Sequence, residues 1–126
     1  MTVHKLKSYK RLDASNKSNV NYAIDKLKNR YKHYADQKAS VPDIFRDRII
    51  VHEVIDNKYL VFKTCAKDVQ VRLLYQICDK GNINVLDFYI KNNTNANKSN
   101  HGQEIRYLVH FKESIDNIKK KGAAYA

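Results

Sequence analysis

Residues 59–91 read YLVFKTCAKDVQVRLLYQICDKGNINVLDFYIK. β-Branched and aromatic residues dominate this stretch, and much of it alternates at period 2. The turn Asp79-Lys80-Gly81-Asn82 interrupts it, with Gly81 free to adopt positive φ. The pattern predicts three strands, Tyr59–Thr64, Val71–Cys78 and Ile83–Lys91, joined closely enough to run antiparallel. Just upstream, Ile49–Ile55 predicts a further short strand, leading through the turn Asp56-Asn57-Lys58. Alternation then assigns faces. Leu60 and Phe62, then Val71, Leu73, Tyr75 and Ile77, then Leu86, Phe88 and Ile90 make one apolar face that would pack on helices. Tyr59, Lys63, Arg72, Gln76, Asp87, Tyr89 and Lys91 gather on the other. Such a cationic and aromatic surface suits a single-stranded nucleic acid, whose bases stack on rings while its phosphates meet cations.

Working outward, residues 4–10 (HKLKSYK) read as a short edge strand guarded by lysines. Residues 13–19 (DASNKSN) offer several helix N-caps. From Val20 the apolar spacing turns helical: Val20, Ala23, Ile24, Leu27, Tyr31 and Tyr34 form one stripe. The opposite face carries Lys26, Arg30, Lys32 and His33, of which Lys26, Arg30 and Lys32 are candidates for RNA contact. This helix of about 18 residues is expected to end near Gln37–Ser40. Pro42 suits the first turn of a short helix, Pro42 to Arg46. After an asparagine-rich loop at 92–100, a final helix is expected over Gly102–Lys120. Ile105, Leu108, Val109, Phe111, Ile115 and Ile118 are its apolar positions, and lysines in its last turn complement the dipole. The tail at 122–126 is expected to fray.

The 126 residues predict a single domain, 1–126, able to fold without a disulfide or metal staple. No apolar run approaches the ~20 residues that span a bilayer, and the basic N-terminus lacks the apolar stretch of a secretory signal. A cytoplasmic protein with no membrane partner is the expectation. Twenty-four Lys and Arg face thirteen Asp and Glu, a formal net charge of +11. Residues 1–40 hold ten of those cations against three acids. Such an excess asks for a polyanion, and nucleic acid is the first candidate. A solvated lysine-rich surface is the alternative reading of the same numbers. Cys65 and Cys78 have no CxxC spacing, and the five histidines show no HExxH or other ligand spacing. Neither a metal nor a cofactor is expected, and the two thiols are expected reduced and half-buried.

Residues 58–91 resemble the RelE/HigB superfamily, the ribosome-associated mRNA interferases of type II toxin–antitoxin systems. The family runs a short strand ending in an apolar–Arg pair, a strand of the form Arg-apolar-apolar-Tyr, a hairpin, and an apolar strand closing on Lys. Here Arg72-Leu73-Leu74-Tyr75 matches the second strand and Phe88-Tyr89-Ile90-Lys91 the last. The resemblance implies a RelE-like α+β fold: an N-terminal strand and helices packed on a three- or four-stranded, mainly antiparallel sheet, with a C-terminal helix. It also implies a metal-independent endoribonuclease in which the ribose 2′-OH attacks the adjacent phosphate. Cations stabilise the phosphorane, and a general base and acid stand on either side. Carried over by position, Arg72 would meet the phosphate, Lys63 stands at the strand-end arginine, and Lys91 is a further cation. Tyr89 or His101 would transfer protons or stack on a base. Tyr59 and Gln76 would join Lys26, Arg30 and Lys32 in RNA binding.

The chain departs from the family where Tyr59 and Val61 replace two lysines and Lys63 replaces an arginine, which loses bidentate phosphate contact. The implied partners are mRNA, the ribosome and a cognate antitoxin. Two other classes remain open: a non-catalytic nucleic-acid-binding protein of a phage or mobile element, and an interaction module whose basic helix binds an acidic protein. Arg72 has a plainer reading as well, a cross-hairpin ion pair with Asp87.

Overall fold

The computed structural model describes residues 3–36, 44, 46–78, 82–92 and 100–125; the side chains of residues 35–36, 92, 100–105 and 121–125 lie outside that description. A 3-10 turn, Val3–Lys5, leads into α1 (Lys7–Lys10) and α2 (Ala14–Asp36). Four strands follow, β1 (Glu53–Ile55), β2 (Tyr59–Ala66), β3 (Val69–Ile77) and β4 (Ile83–Asn92), and then α3 (Asn100–Tyr125). The sheet is an antiparallel meander in the order β1-β2-β3-β4. The fold is α+β. Among the described residues, no helix is long and apolar enough to cross a membrane.

Two cores hold the sheet between helical layers. On one face, Val20, Ala23, Ile24, Leu27 and Tyr31 of α2 pack on Leu60, Phe62, Val71, Leu73, Tyr75 and Phe88. On the other, Tyr107, Phe111 and Ile115 of α3 pack on Tyr59, Val61, Leu74 and Leu86. Of the six apolar positions expected on the last helix, Phe111 and Ile115 are buried, Leu108 and Ile118 pack at the edge of the core, and Val109 points to solvent. Ile105 lies outside the described side chains, and Tyr107 is an anchor the stripe did not include.

The N-terminal strand expected at residues 4–10 is not formed. Val3, Leu6, Tyr9 and Leu12 recur every third residue, so helical turns place all four against the core, whereas alternation would have split them between faces. α2 begins six residues earlier than its apolar stripe because Asp13 caps it: its carboxylate accepts the Asn16 N–H at 2.7 Å.

The strand expected over Ile49–Ile55 shrinks to Glu53–Ile55. Asp47 folds the preceding residues into a turn: its carboxylate accepts the Ile49 N–H at 2.9 Å, and its carbonyl accepts the Val51 N–H at 2.9 Å. Ile50 and Val51 are still buried, and Tyr75 donates its hydroxyl to the Ile50 carbonyl at 2.5 Å. The β1–β2 turn puts Asp56 and Asn57 at φ 53° and 60°, the left-handed region that Asp and Asn tolerate best among non-glycine residues.

The predicted faces of β2 and β3 hold. In β4 they hold only from Asp87 onward. Leu74 pairs with Asp87 and Tyr75 with Val85, so Leu86 is an extra, bulged residue. The bulge puts Val85 on the α2 side and Leu86 on the α3 side, the reverse of the alternation. α3 also runs to Tyr125, past the expected end at Lys120 and through the tail expected to fray. The expected 79–82 hairpin turn (except Asn82), the 93–99 loop and the Pro42–Arg46 helix (except Ile44 and Arg46) lie outside the described residues.

Candidate functional site

The strand register gathers three of the candidate residues into one row. Lys63 of β2 stands opposite Arg72 of β3, and Arg72 stands opposite Tyr89 of β4. One step along, Gln70 stands opposite Lys91. The carried-over cations and aromatic are therefore neighbours on the α3 side of the sheet.

That side is not open. α3 covers it, and the expectation of an exposed cationic face is corrected accordingly. Tyr107 lies over Arg72, with the guanidinium carbon 4.0 Å from the ring centroid, and Arg72 Nη2 donates to Gln70 Oε1 at 3.0 Å. Arg72 is 0% exposed. A desolvated cation–aromatic stack of this kind contributes up to about 2 kcal/mol. Tyr59 and Lys91 are also buried, so Tyr59 does not offer a ring for a base to stack on. Lys63, Gln76 and Tyr89 are half-buried at the margin of the covered zone. His101 sits in the first turn of α3, and its side chain lies outside the described residues. The cross-hairpin pairing of Arg72 with Asp87 does not form, since Asp87 sits opposite Leu74 and is engaged elsewhere.

Two of its three partners are on α3. Asp87 is nearly buried and its carboxylate accepts three hydrogen bonds. Phe88 N–H donates to Oδ1 at 2.8 Å, His110 Nε2 lies 3.0 Å from Oδ2, and the Ser114 hydroxyl donates to the same Oδ2. The Asp87 hydrogen bond pushes the His110 pKa up. Burial opposes it, while the charges of Asp87 and Glu113 and the Phe88 carbonyl add to it. The His110 side chain keeps 43% exposure and its ring centroid lies 5.8 Å from that of Tyr89. A half-exposed imidazole whose protonated form is favoured by a neighbouring carboxylate is chemically suited to donate a proton. The Ser114 hydroxyl bonds to the Asp87 carboxylate, with the His110 carbonyl oxygen at 3.1 Å, and not to the imidazole, so the three do not form a serine–histidine–carboxylate relay.

The residues predicted on α2 divide by role. Lys32 is solvent-exposed. Lys26 is exposed too, but Nζ donates to Thr64 Oγ1 at 3.2 Å and stands 5.8 Å from the Tyr22 ring centroid. Arg30 pairs with Asp47 at 3.3 Å, and Tyr34 donates its hydroxyl to the same carboxylate. Arg30 is thus spent partly on fastening the 47–51 turn to α2.

Sequence reasoning missed His110, Ser114 and the role of Asp87. The signal that could have found them is the i, i+4 spacing of His110 and Ser114 beside Phe111 and Ile115, two polar side chains bordering a helix's apolar stripe. Among the described residues, no three His, Cys, Asp or Glu side chains cluster in a way that could hold a metal ion. Cys65 and Cys78 are exposed free thiols rather than half-buried ones. Comparison with known proteins finds no matching family model, no matching curated protein and no matching solved structure.

Proposed function

We propose that this protein acts on RNA as a metal-independent endoribonuclease of the RelE/HigB type, the toxin of a toxin–antitoxin pair that cleaves mRNA at the ribosome. The observation that carries the reading is the row Lys63–Arg72–Tyr89 with the Asp87–His110 pair at its edge. In-line attack forms the 2′-oxygen–phosphorus bond while water takes up the 2′-OH proton, builds negative charge on the phosphoryl oxygens, and breaks the phosphorus–5′-oxygen bond, so that charge passes to the departing 5′-oxygen and a 2′,3′-cyclic phosphate remains. Lys63 lies at the margin to meet the first charge, and Arg72 strengthens the positive field from beneath Tyr107. His110 is the group suited to protonate the leaving oxygen, with Asp87 keeping its proton in place. Tyr89 supplies the ring on which the flanking base stacks. The net charge of +11 draws the polyanion in, and an antitoxin with an acidic segment would cover the same surface.

Purified protein incubated with RNA, with and without programmed ribosomes, tests this reading. Cleavage is expected, with a His110→Ala rate lower by 10²-fold or more on the usual scale of general acid catalysis. Intact RNA in every arm would sink the nuclease. Expression of the chain alone is expected to arrest growth, and harmless accumulation of folded protein counts against a toxin.

A second reading has its own observation. Arg72, the residue on which the resemblance places phosphate stabilisation, is sealed beneath Tyr107. That placement favours a non-catalytic RNA-binding protein on the same scaffold, and retention of RNA without cleavage is its signature.

A further inference from the structure

The chain has only six arginines among its twenty-four cations, and two of them, Arg46 and Arg48, line one cleft. The cleft has a volume of about 600 Å³ and lies beside β1, where Val51, His52, Glu53 and Val54 complete its wall. Both arginines are exposed, and they flank a residue that points inward. Asp47, between them, is held by Arg30, Tyr34 and the Ile49 N–H. The Val51 N–H closes the turn on the Asp47 carbonyl at 2.9 Å, and Tyr75 anchors Ile50 from the sheet at 2.5 Å. The backbone that displays Arg46 and Arg48 is therefore fastened to both α2 and β3. Two guanidinium groups on a fastened turn lose less freedom on binding than lysines on an open helix, and each matches a phosphate bidentately. His52 of the cleft is half-buried, its ring centroid 6.4 Å from that of the buried Tyr107.

We infer that the Arg46–Arg48 cleft is a phosphate-binding site for single-stranded RNA. The inference rests on the RNA reading above and adds to it a place where the strand is gripped. Glu53 lines the same cleft and opposes an anion there. This makes the site testable in two directions.

The probe is a short labelled single strand of 2′-O-methyl RNA, which lacks the attacking hydroxyl and so reports binding alone. It is prepared with a 5′-hydroxyl and with a 5′-phosphate. Arg46→Ala/Arg48→Ala is expected to bind at least tenfold more weakly than the natural chain. Its log affinity against log salt should be shallower by about 1.4, the loss of two phosphate contacts on a single strand. Lys10→Ala/Lys28→Ala removes the same charge from exposed positions elsewhere and should cost threefold or less. Glu53→Gln should bind two- to threefold more tightly, a gain that a folding defect cannot produce. An equal loss with both oligonucleotides marks a backbone phosphate in the cleft, and a loss confined to the phosphorylated one marks a terminal phosphate. If Arg46→Ala/Arg48→Ala loses no more than the lysine pair, the cleft is not a site and attraction is diffuse. If the natural chain does not bind the probe at all, the RNA reading itself falls.

Discussion

At the scale of single residues, the His110–Asp87 contact makes a statement about pH. The His110 pKa is raised in the folded chain above the ordinary value near 6.5. The folded state therefore binds a proton that the unfolded state gives up sooner. The stabilisation is fully present below about pH 6.5 and is lost as pH rises through the raised folded value. The half-exposed ring keeps the effect modest. Urea midpoints measured from pH 6 to pH 8.5 should fall with rising pH, and His110→Gln should flatten that slope; a slope unchanged by the substitution would assign the dependence to another group. This contact was not legible in the chain. Asp87 and His110 meet only because α3 lies across β4, and no local pattern encodes that crossing. Arg72 shows the same limit from the other side. Its place on the non-α2 face follows from alternation, but period 2 says nothing about what covers a face, and Tyr107 covers this one.

At the scale of elements, the three long strands and α2 were legible because each carries a clean period: two in Tyr59–Lys91 and 3.6 from Val20 onward. The misses arose where a period was ambiguous or broken. Val3, Leu6, Tyr9 and Leu12 repeat at three, close enough to a helix for short helical turns to form and far from a strand. The bulge at Leu86 inserts one residue without any glycine or proline to announce it. The β2–β3 hairpin is where the elements store strain. Its two-residue loop puts Lys67 at φ 55°, a position that glycine adopts without the clash a Cβ brings. Lys67→Gly is expected to raise stability by about 0.5–1 kcal/mol, read as a higher urea midpoint at unchanged slope. A lower midpoint would mean that the lysine side chain contributes more than its backbone costs.

At the scale of the molecule, the sheet is the middle layer of three, and its two faces are covered by helices from opposite ends of the chain. The positive charge follows this division. The N-terminal third carries most of the excess, on exposed positions of α1 and α2 such as Lys10, Lys28 and Lys32, where it acts at long range. The candidate chemistry lies on the opposite side, under and beside α3. Phe111 is the hinge of that arrangement, fully buried between Tyr107 and the sheet. Phe111→Ala should cost about 3–5 kcal/mol. It should also raise the binding of a hydrophobic dye as α3 loosens from Tyr59, Val61 and Leu74; unchanged dye binding at reduced stability would mean that the helix stays docked over the cavity.

The place of α3 in the chain has a consequence for biosynthesis. The strands are complete at Asn92, and α3 ends at Tyr125. Without α3 docked, pairing of the meander and packing of α2 leave Tyr59, Val61, Leu74 and Leu86 facing water together. Arg72, Asp87 and Lys91 are hydrated among them. A chain that folds in the order of its synthesis would therefore leave a cationic, aromatic sheet surface bare until this helix docks and closes it.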